Sequence, residues 1–175
     1  MQGICDASMK FLEISLRPGS CSDKVLWSLS TTNTLVAETL PRGYHLLGDA
    51  GYALRTNLIT PYPHDEGSHI QRKFNKVHAS TRNIVERAFG RLKGRFRILL
   101  STLPQQSPKN AARVVASCVV LHNLTTDFRD EVDVQHSDEH IHQHIRDNGA
   151  FQERQSLEAA QEKRDGLARW IFNYL

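Results

Sequence analysis

The stretch His45-Leu46-Leu47-Gly48-Asp49-Ala50-Gly51-Tyr52, HLLGDAGY, runs a short apolar segment straight into an aspartate and brackets it with two glycines. Glycine permits backbone conformations and close approaches that a Cβ forbids, so a carboxylate between two of them is open to a ligand. Tyr44 to Gly48 reads as a strand, which puts Asp49 at a strand end, where ligands gather in α/β folds. The plainer reading is an aspartate in a turn.

Upstream, Gly3 to Cys5 and Phe11 to Leu16 read as two short strands joined by a polar turn at Asp6 to Met9, and so as a hairpin. Arg17-Pro18-Gly19-Ser20 is a turn signal, and Ser22 to Ser30 places Val25, Leu26 and Leu29 at helical spacing. Downstream, Leu54 to Leu58 reads as a turn or short helix, and the polar, proline-containing TPYPHDEGSHIQ of residues 60–71 as a loop.

The longest amphipathic pattern comes next, STRNIVERAFGRLKGRFRILL at residues 80–100, with Ser80 as N-cap. Val85, Ala88, Phe89, Leu92, Phe96 and Leu99 share one helical face. Gly90 and Gly94 each cost such a helix roughly 1 kcal/mol relative to alanine, so a close packing neighbour is expected at both. In SPKNAARVVASCVVLHNL, residues 107–124, Ser107 is an N-cap and Pro108 the first helical residue. Its apolar run from Val114 to Leu121 is too continuous for a surface helix and predicts burial. A helical pattern returns from Glu153 to Phe172. A hairpin succeeded by a third strand, a loop and helices gives an α/β (α+β) class.

At 175 residues the chain has the length of one domain, read as residues 1–126 and then an acidic, histidine-rich tail, 127–175, that ends in a helix. The formal charge of +3 is unevenly spread. Residues 1–126 hold 16 Lys and Arg against 8 Asp and Glu, whereas 127–175 hold 6 against 11, so the front of the chain is the anion-binding part. Cys5, Cys21 and Cys118 are widely spaced with no CxxC pair, which suits a reducing compartment and argues against a disulfide scaffold or a cysteine zinc site. No apolar run reaches membrane-spanning length and the first residues lack a signal-peptide pattern, so no membrane partner is expected.

Between Gln71 and Arg97 nine basic residues accompany a single acid, Glu86. On a helical wheel Glu86 falls between the apolar and basic faces. Asp49 and Glu86 together suit a hard divalent cation such as Mg²⁺ or Mn²⁺, with surrounding lysines and arginines to hold phosphates. The same spacing also permits Glu86 to be only an i, i+4 ion-pair partner of Arg82.

Four segments carry a resemblance. LLGDAGYALRTNLITPY, FNKVHASTRNIVERAFGRLKGRFRIL and VVASCVVLHNL, preceded by RPGSCSD at Arg17 to Asp23, are similar in order and approximate spacing to the C-terminal half of the nuclease domain of the PIF/Harbinger group of DDE transposases, including the domesticated nucleases derived from them. The resemblance covers about Gly3 to Leu124. It implies an RNase H-like mixed sheet with flanking helices and a metal-dependent endonuclease acting on DNA in the nucleus, or in nucleus and cytoplasm. It also implies Asp49 and Glu86 as catalytic metal ligands, and a Myb-like or other DNA-binding protein as partner. Arg82, Arg87, Lys93 and Arg97 are the residues expected on DNA phosphate.

The family's first catalytic aspartate lies on a strand upstream of the hairpin with which this chain begins. Nothing before Asp6 supplies it, and neither Asp6 nor Asp23 is a convincing substitute. The expectation is therefore an N-terminally truncated domain with two of three acids, and less core than the complete sheet would have. The rival readings are a non-catalytic DNA-binding or protein-partner module, and a fragment that does not fold stably alone.

His136, His140, His142 and His144 have zinc-like spacing but no apolar face, and the tract reads as solvated and disordered rather than as a metal site. His122 is expected to satisfy a buried polar contact, and His78, placed just before the helix, to touch phosphate. RLKGRFR has the composition of a nuclear-import signal, although it lies on a helix whose other face is core.

Overall fold

Asp6 turns the chain back on itself. Its Oδ1 accepts the backbone N–H groups of Ser8 at 2.8 Å and Lys10 at 3.0 Å, the local bonding that makes aspartate a turn former. The turn joins strands β1 (Gln2–Cys5) and β2 (Phe11–Ser15), which pair antiparallel with a register shift between Ile4 and Cys5. The hairpin read from the sequence is therefore present. The computed structural model describes residues 1–16, 27, 31–63, 67–103, 107–128 and 152–175. The turn at Arg17–Asp23, the Ser22–Ser30 helix apart from Trp27, and the histidine tract from His136 to His144 lie outside them.

After the hairpin come α1 (Thr31–Thr39), β3 (Leu46–Leu47), β4 (Leu58–Ile59), α2 (His69–Arg95), a 3-10 turn (Arg97–Leu100), α3 (Pro108–Asp127) and α4 (Gln152–Tyr174). β3 and β4 pair in parallel, Leu46 with Leu58 and Leu47 with Ile59. The fold is a mixture of helices and small sheets, in keeping with the α/β class. The chain divides into two compact units, Met1–Ser20 with Asn83–His140, and Cys21–Arg82 with Ile141–Leu175.

In the first unit Phe11, Ala88, Leu92, Cys118 and Val119 form a buried cluster, with Ile14, Phe89, Phe96 and Val114 packed against it. Phe11 and Phe89 meet at 4.9 Å between ring centroids, tilted by 53°, an arrangement that the aromatic quadrupole favours. Gly3 permits that meeting, since a Cβ there would lie 3.0 Å from the Phe89 ring and 3.1 Å from Phe11. His122 and Asn123, at the end of α3, hold the hairpin: His122 Nε2 donates to the Met9 carbonyl at 2.9 Å, and the Asn123 carboxamide bonds both backbone groups of Phe11. His122 does satisfy a buried polar contact, as its sequence context suggested.

In the second unit Ile59, Tyr62, Phe74 and Ala168 form the buried cluster. Here α4 closes the strand region. Lys163 donates to the carbonyls of Tyr44 and Thr56, Arg164 donates to that of Pro61, and the Tyr62 hydroxyl donates to Asp165. The Arg164 guanidinium lies 3.9 Å from the Tyr62 ring centroid, close enough for cation–π attraction.

Four expectations need correction. The basic helix begins at His69, not near Ser80. Ser68 N–H bonds Gln71 Oε1 at 2.9 Å and Gln71 N–H bonds Ser68 Oγ at 3.3 Å, a reciprocal capping box that starts the helix inside the expected loop. Leu58–Ile59, expected at the end of a turn and just beyond it, is a strand. The apolar run of α3 is only partly buried: Cys118 and Val119 face the core, while Val120 is 58% and Leu121 48% exposed, because the hairpin covers one side of a helix that is apolar on several. Gly90 has no neighbour within 4 Å of where its Cβ would be, so close packing does not explain it.

Candidate functional site

Asp49 comes directly after the short parallel ladder. Leu46 N–H donates to the Asn57 carbonyl and Gly48 N–H to the Ile59 carbonyl, each at 2.9 Å, so the backbone is hydrogen-bonded up to the residue before the aspartate. The Asp49 side chain is half-buried, and its Oδ1 accepts the N–H of Gly51 at 2.8 Å. Both flanking glycines have steric reasons. A Cβ on Gly51 would lie 3.0 Å from Asp49 Oδ1, and one on Gly48 would lie 3.1 Å from the Leu58 side chain and 3.2 Å from Tyr52.

His78 lies in this same unit, on α2, and is 4% exposed. The Ile59 carbonyl accepts from its Nε2 at 3.2 Å, so Nε2 carries the proton and Nδ1 the lone pair. Burial pushes the His78 imidazole below its ordinary value; Arg82 and His45 act in the same sense, and the Ile59 bond and the Asp49 carboxylate oppose it. The expectation that His78 touches phosphate from a position before the helix is overturned, since the side chain is inside the helix and inside the core. His45 is half-buried, with a pKa lowered first by burial and then by Lys163, and its Nδ1 is buried without a partner among the described residues.

Glu86 is on α2 within the first unit and is exposed. Both it and Arg82, which belongs to the second unit, engage neighbouring groups. Arg87, Lys93 and Arg97 are exposed, Arg97 opening the 3-10 turn, so all three are available to solvent anions. Among the described residues no three His, Cys, Asp or Glu side chains gather as a metal cluster, and no helix is long and apolar enough to cross a membrane. Carboxylate oxygens, which both Asp49 and Glu86 carry, are hard donors of the kind that suits Mg²⁺ or Mn²⁺.

Sequence reading missed that His78 lies close enough to His45 and Asp49 to feel their charge. The signal that finds His78 is the Ser68-x-x-Gln71 capping box, which extends the helix back and sets His78 four residues from Phe74 and four from Arg82 on one face.

Residues 1–123 match the model of the DDE superfamily endonuclease family. The chain belongs to that family. Among curated DDE-type relatives it is similar to "Putative nuclease HARBI1" of Mus musculus, with 30% identity over 127 residues, 71% of this chain and 36% of the mouse protein. Its similarity to "Protein ALP1-like" of Arabidopsis thaliana is 30% over 145 residues, 75% of this chain and 36% of that protein. With the Homo sapiens HARBI1 protein it is 29% over 125 residues, 70% of this chain and 36% of the human one. The chain thus spans about a third of the length of the curated DDE relatives it matches. No solved structure matches it.

Proposed function

We propose that this chain belongs to a DDE-type nuclease domain of the RNase H-like kind that hydrolyses phosphodiester bonds of DNA, with Asp49 and Glu86 as catalytic acids. Asp49 and Glu86 would hold Mg²⁺ or Mn²⁺, which supplies an activated water and charge stabilisation at the leaving oxygen when bound. Arg82, Arg87, Lys93 and Arg97 would hold the phosphate backbone. The observation that carries this reading is the family match over residues 1–123 together with a half-buried Asp49 carboxylate at a strand end. A nuclear site of action and a separate Myb-like or other DNA-binding partner accompany it.

Plasmid cleavage tests the reading. Expected is slow nicking that requires Mg²⁺ or Mn²⁺, stops with a chelator, and is lost in both Asp49→Asn and Glu86→Gln. The exposed Arg87, Lys93 and Arg97 equally support a second reading, a non-catalytic DNA-binding or protein-partner module. DNA affinity that survives both substitutions, with no cutting by the parent protein, selects that one.

A further inference from the structure

The Ile59 carbonyl accepts two hydrogen bonds. One comes from Gly48 N–H at 2.9 Å and the other from His78 Nε2 at 3.2 Å. Gly48 immediately precedes Asp49, and Ile59 is fully buried. The two donors reach one oxygen from different elements, the strand end that leads into Asp49 and the helix α2. We infer that His78 is the positioning residue of the Asp49 carboxylate, fixing through the Ile59 carbonyl the backbone from which Asp49 projects.

His78 is not itself a metal ligand. Its protonated nitrogen is committed to Ile59, it is 4% exposed, and no three potential ligands gather among the described residues. Its influence therefore passes through the peptide groups around Gly48. A carbonyl that loses one of two donors is left with a buried lone pair, and the ladder bond it still makes becomes free to drift. The Asp49 carboxylate accepts a local bond from the Gly51 N–H. That bond sets the carboxylate relative to its own turn, but not relative to the helix. Partners that orient a ligand from behind typically change metal affinity by about 10- to 100-fold when removed. The bond also gives a role to a buried histidine beside Phe74, where a leucine could not bond the carbonyl.

The inference rests on the reading of Asp49 as a metal ligand, so the test separates the two. Mn²⁺ binding to the full chain is measured by electron paramagnetic resonance, with no DNA present. Asp49→Asn is expected to abolish the protein-bound signal, and His78→Leu to weaken Mn²⁺ affinity about tenfold. His78→Gln, whose amide nitrogen can take the place of Nε2, is expected to bind within about twofold of the parent. Should His78→Leu fail to fold, His78→Asn replaces it, since its shorter amide does not reach Ile59. A folded His78→Leu or His78→Asn that binds like the parent overturns the positioning role while leaving Asp49 as ligand. Equal losses in the Gln variant and in whichever of the other two is used also overturn it, because the Ile59 bond is then not the cause. Binding that is absent in the parent, or that survives Asp49→Asn, overturns the metal-ligand reading and this inference with it.

Discussion

The carboxamide of Asn123 accepts the backbone N–H of Phe11 at 2.8 Å and donates back to the Phe11 carbonyl at 2.8 Å. One side chain thus satisfies both polar groups of a strand residue, as a neighbouring strand would. In the second unit Asn75 brackets Tyr62 in the same way, at 2.9 Å and 3.0 Å. Unpaired backbone groups in partly buried positions are costly, and in both places a helix supplies the missing pairing through an amide.

Asn123→Ala should therefore destabilise the first unit by about 1–3 kcal/mol, the usual penalty for stranding buried partners. Asn123→Asp should do comparable harm, because the carboxylate keeps the acceptor for the N–H but meets the carbonyl with a second oxygen. Chemical denaturation measures the loss, and amide exchange at Phe11 localises it. Unchanged protection of the Phe11 amide in the alanine variant would show that the bracket contributes nothing.

Acid should weaken the same unit. Burial pushes the His122 imidazole below its ordinary value of 6.5; the bond to the Met9 carbonyl opposes this, and Arg95 and Arg91 reinforce it. With its folded pKa depressed, His122 stays neutral in the fold while the unfolded chain takes up a proton. The stability it contributes is complete above about pH 6.5 and declines as pH falls towards the folded value. His122→Gln retains a donor for Met9 and removes the titration. Its melting temperature should fall less than that of the parent between about pH 7.5 and 5.5, a window that brackets the ordinary imidazole value, and parallel declines would assign the acid sensitivity elsewhere.

How far the sequence could be read depends on whether each signal was local. Ser107-Pro108 at the start of α3 and the periodicity of α4 are local, and both helices lie where those signals put them. The glycines around Asp49 are local too, and their side-chain-free space is used by Asp49 itself, Leu58 and Tyr52. The first part of α2 was hidden because its cap stands among prolines, glycine and charges that spell a loop. β4 was hidden because two adjacent buried residues have no alternation to detect. The ties from Lys163 to Tyr44 and from His78 to Ile59 join residues 119 and 19 apart, and nothing in either neighbourhood announces its partner.

Gly90 gives a prediction of opposite sign from most core changes. It lies inside α2, at a helical φ, with nothing within 4 Å of the place a side-chain methyl would take. Gly90→Ala removes the entropic cost of a helical glycine without a clash and should raise stability by about 0.5–1 kcal/mol. Gly90 is one turn from Glu86, so DNA binding should be measured on the same variant. A stabilised protein with weakened DNA affinity would indicate that bare backbone is kept there for a close approach, whereas a destabilised protein would contradict the open space around it.

The exposed basic residues make a salt-dependence prediction that does not rely on catalysis. Each phosphate contact releases condensed counterions, so the slope of log affinity against log salt steepens by about 0.9 for each contact with duplex DNA. Lys93 and Arg97 are both exposed. If both touch phosphate, Lys93→Ala with Arg97→Ala should flatten the slope by roughly 1.8 and weaken binding similarly for unrelated sequences, because phosphate contacts carry no sequence information. Asp49→Asn should leave the slope unchanged. Fluorescence anisotropy of a labelled duplex across about 50–200 mM salt, the range over which such contacts change affinity strongly, reads all three proteins. A double variant whose slope equals that of the parent would remove Lys93 and Arg97 from the DNA-contacting surface and leave Arg82 and Arg87 as the residues to test next.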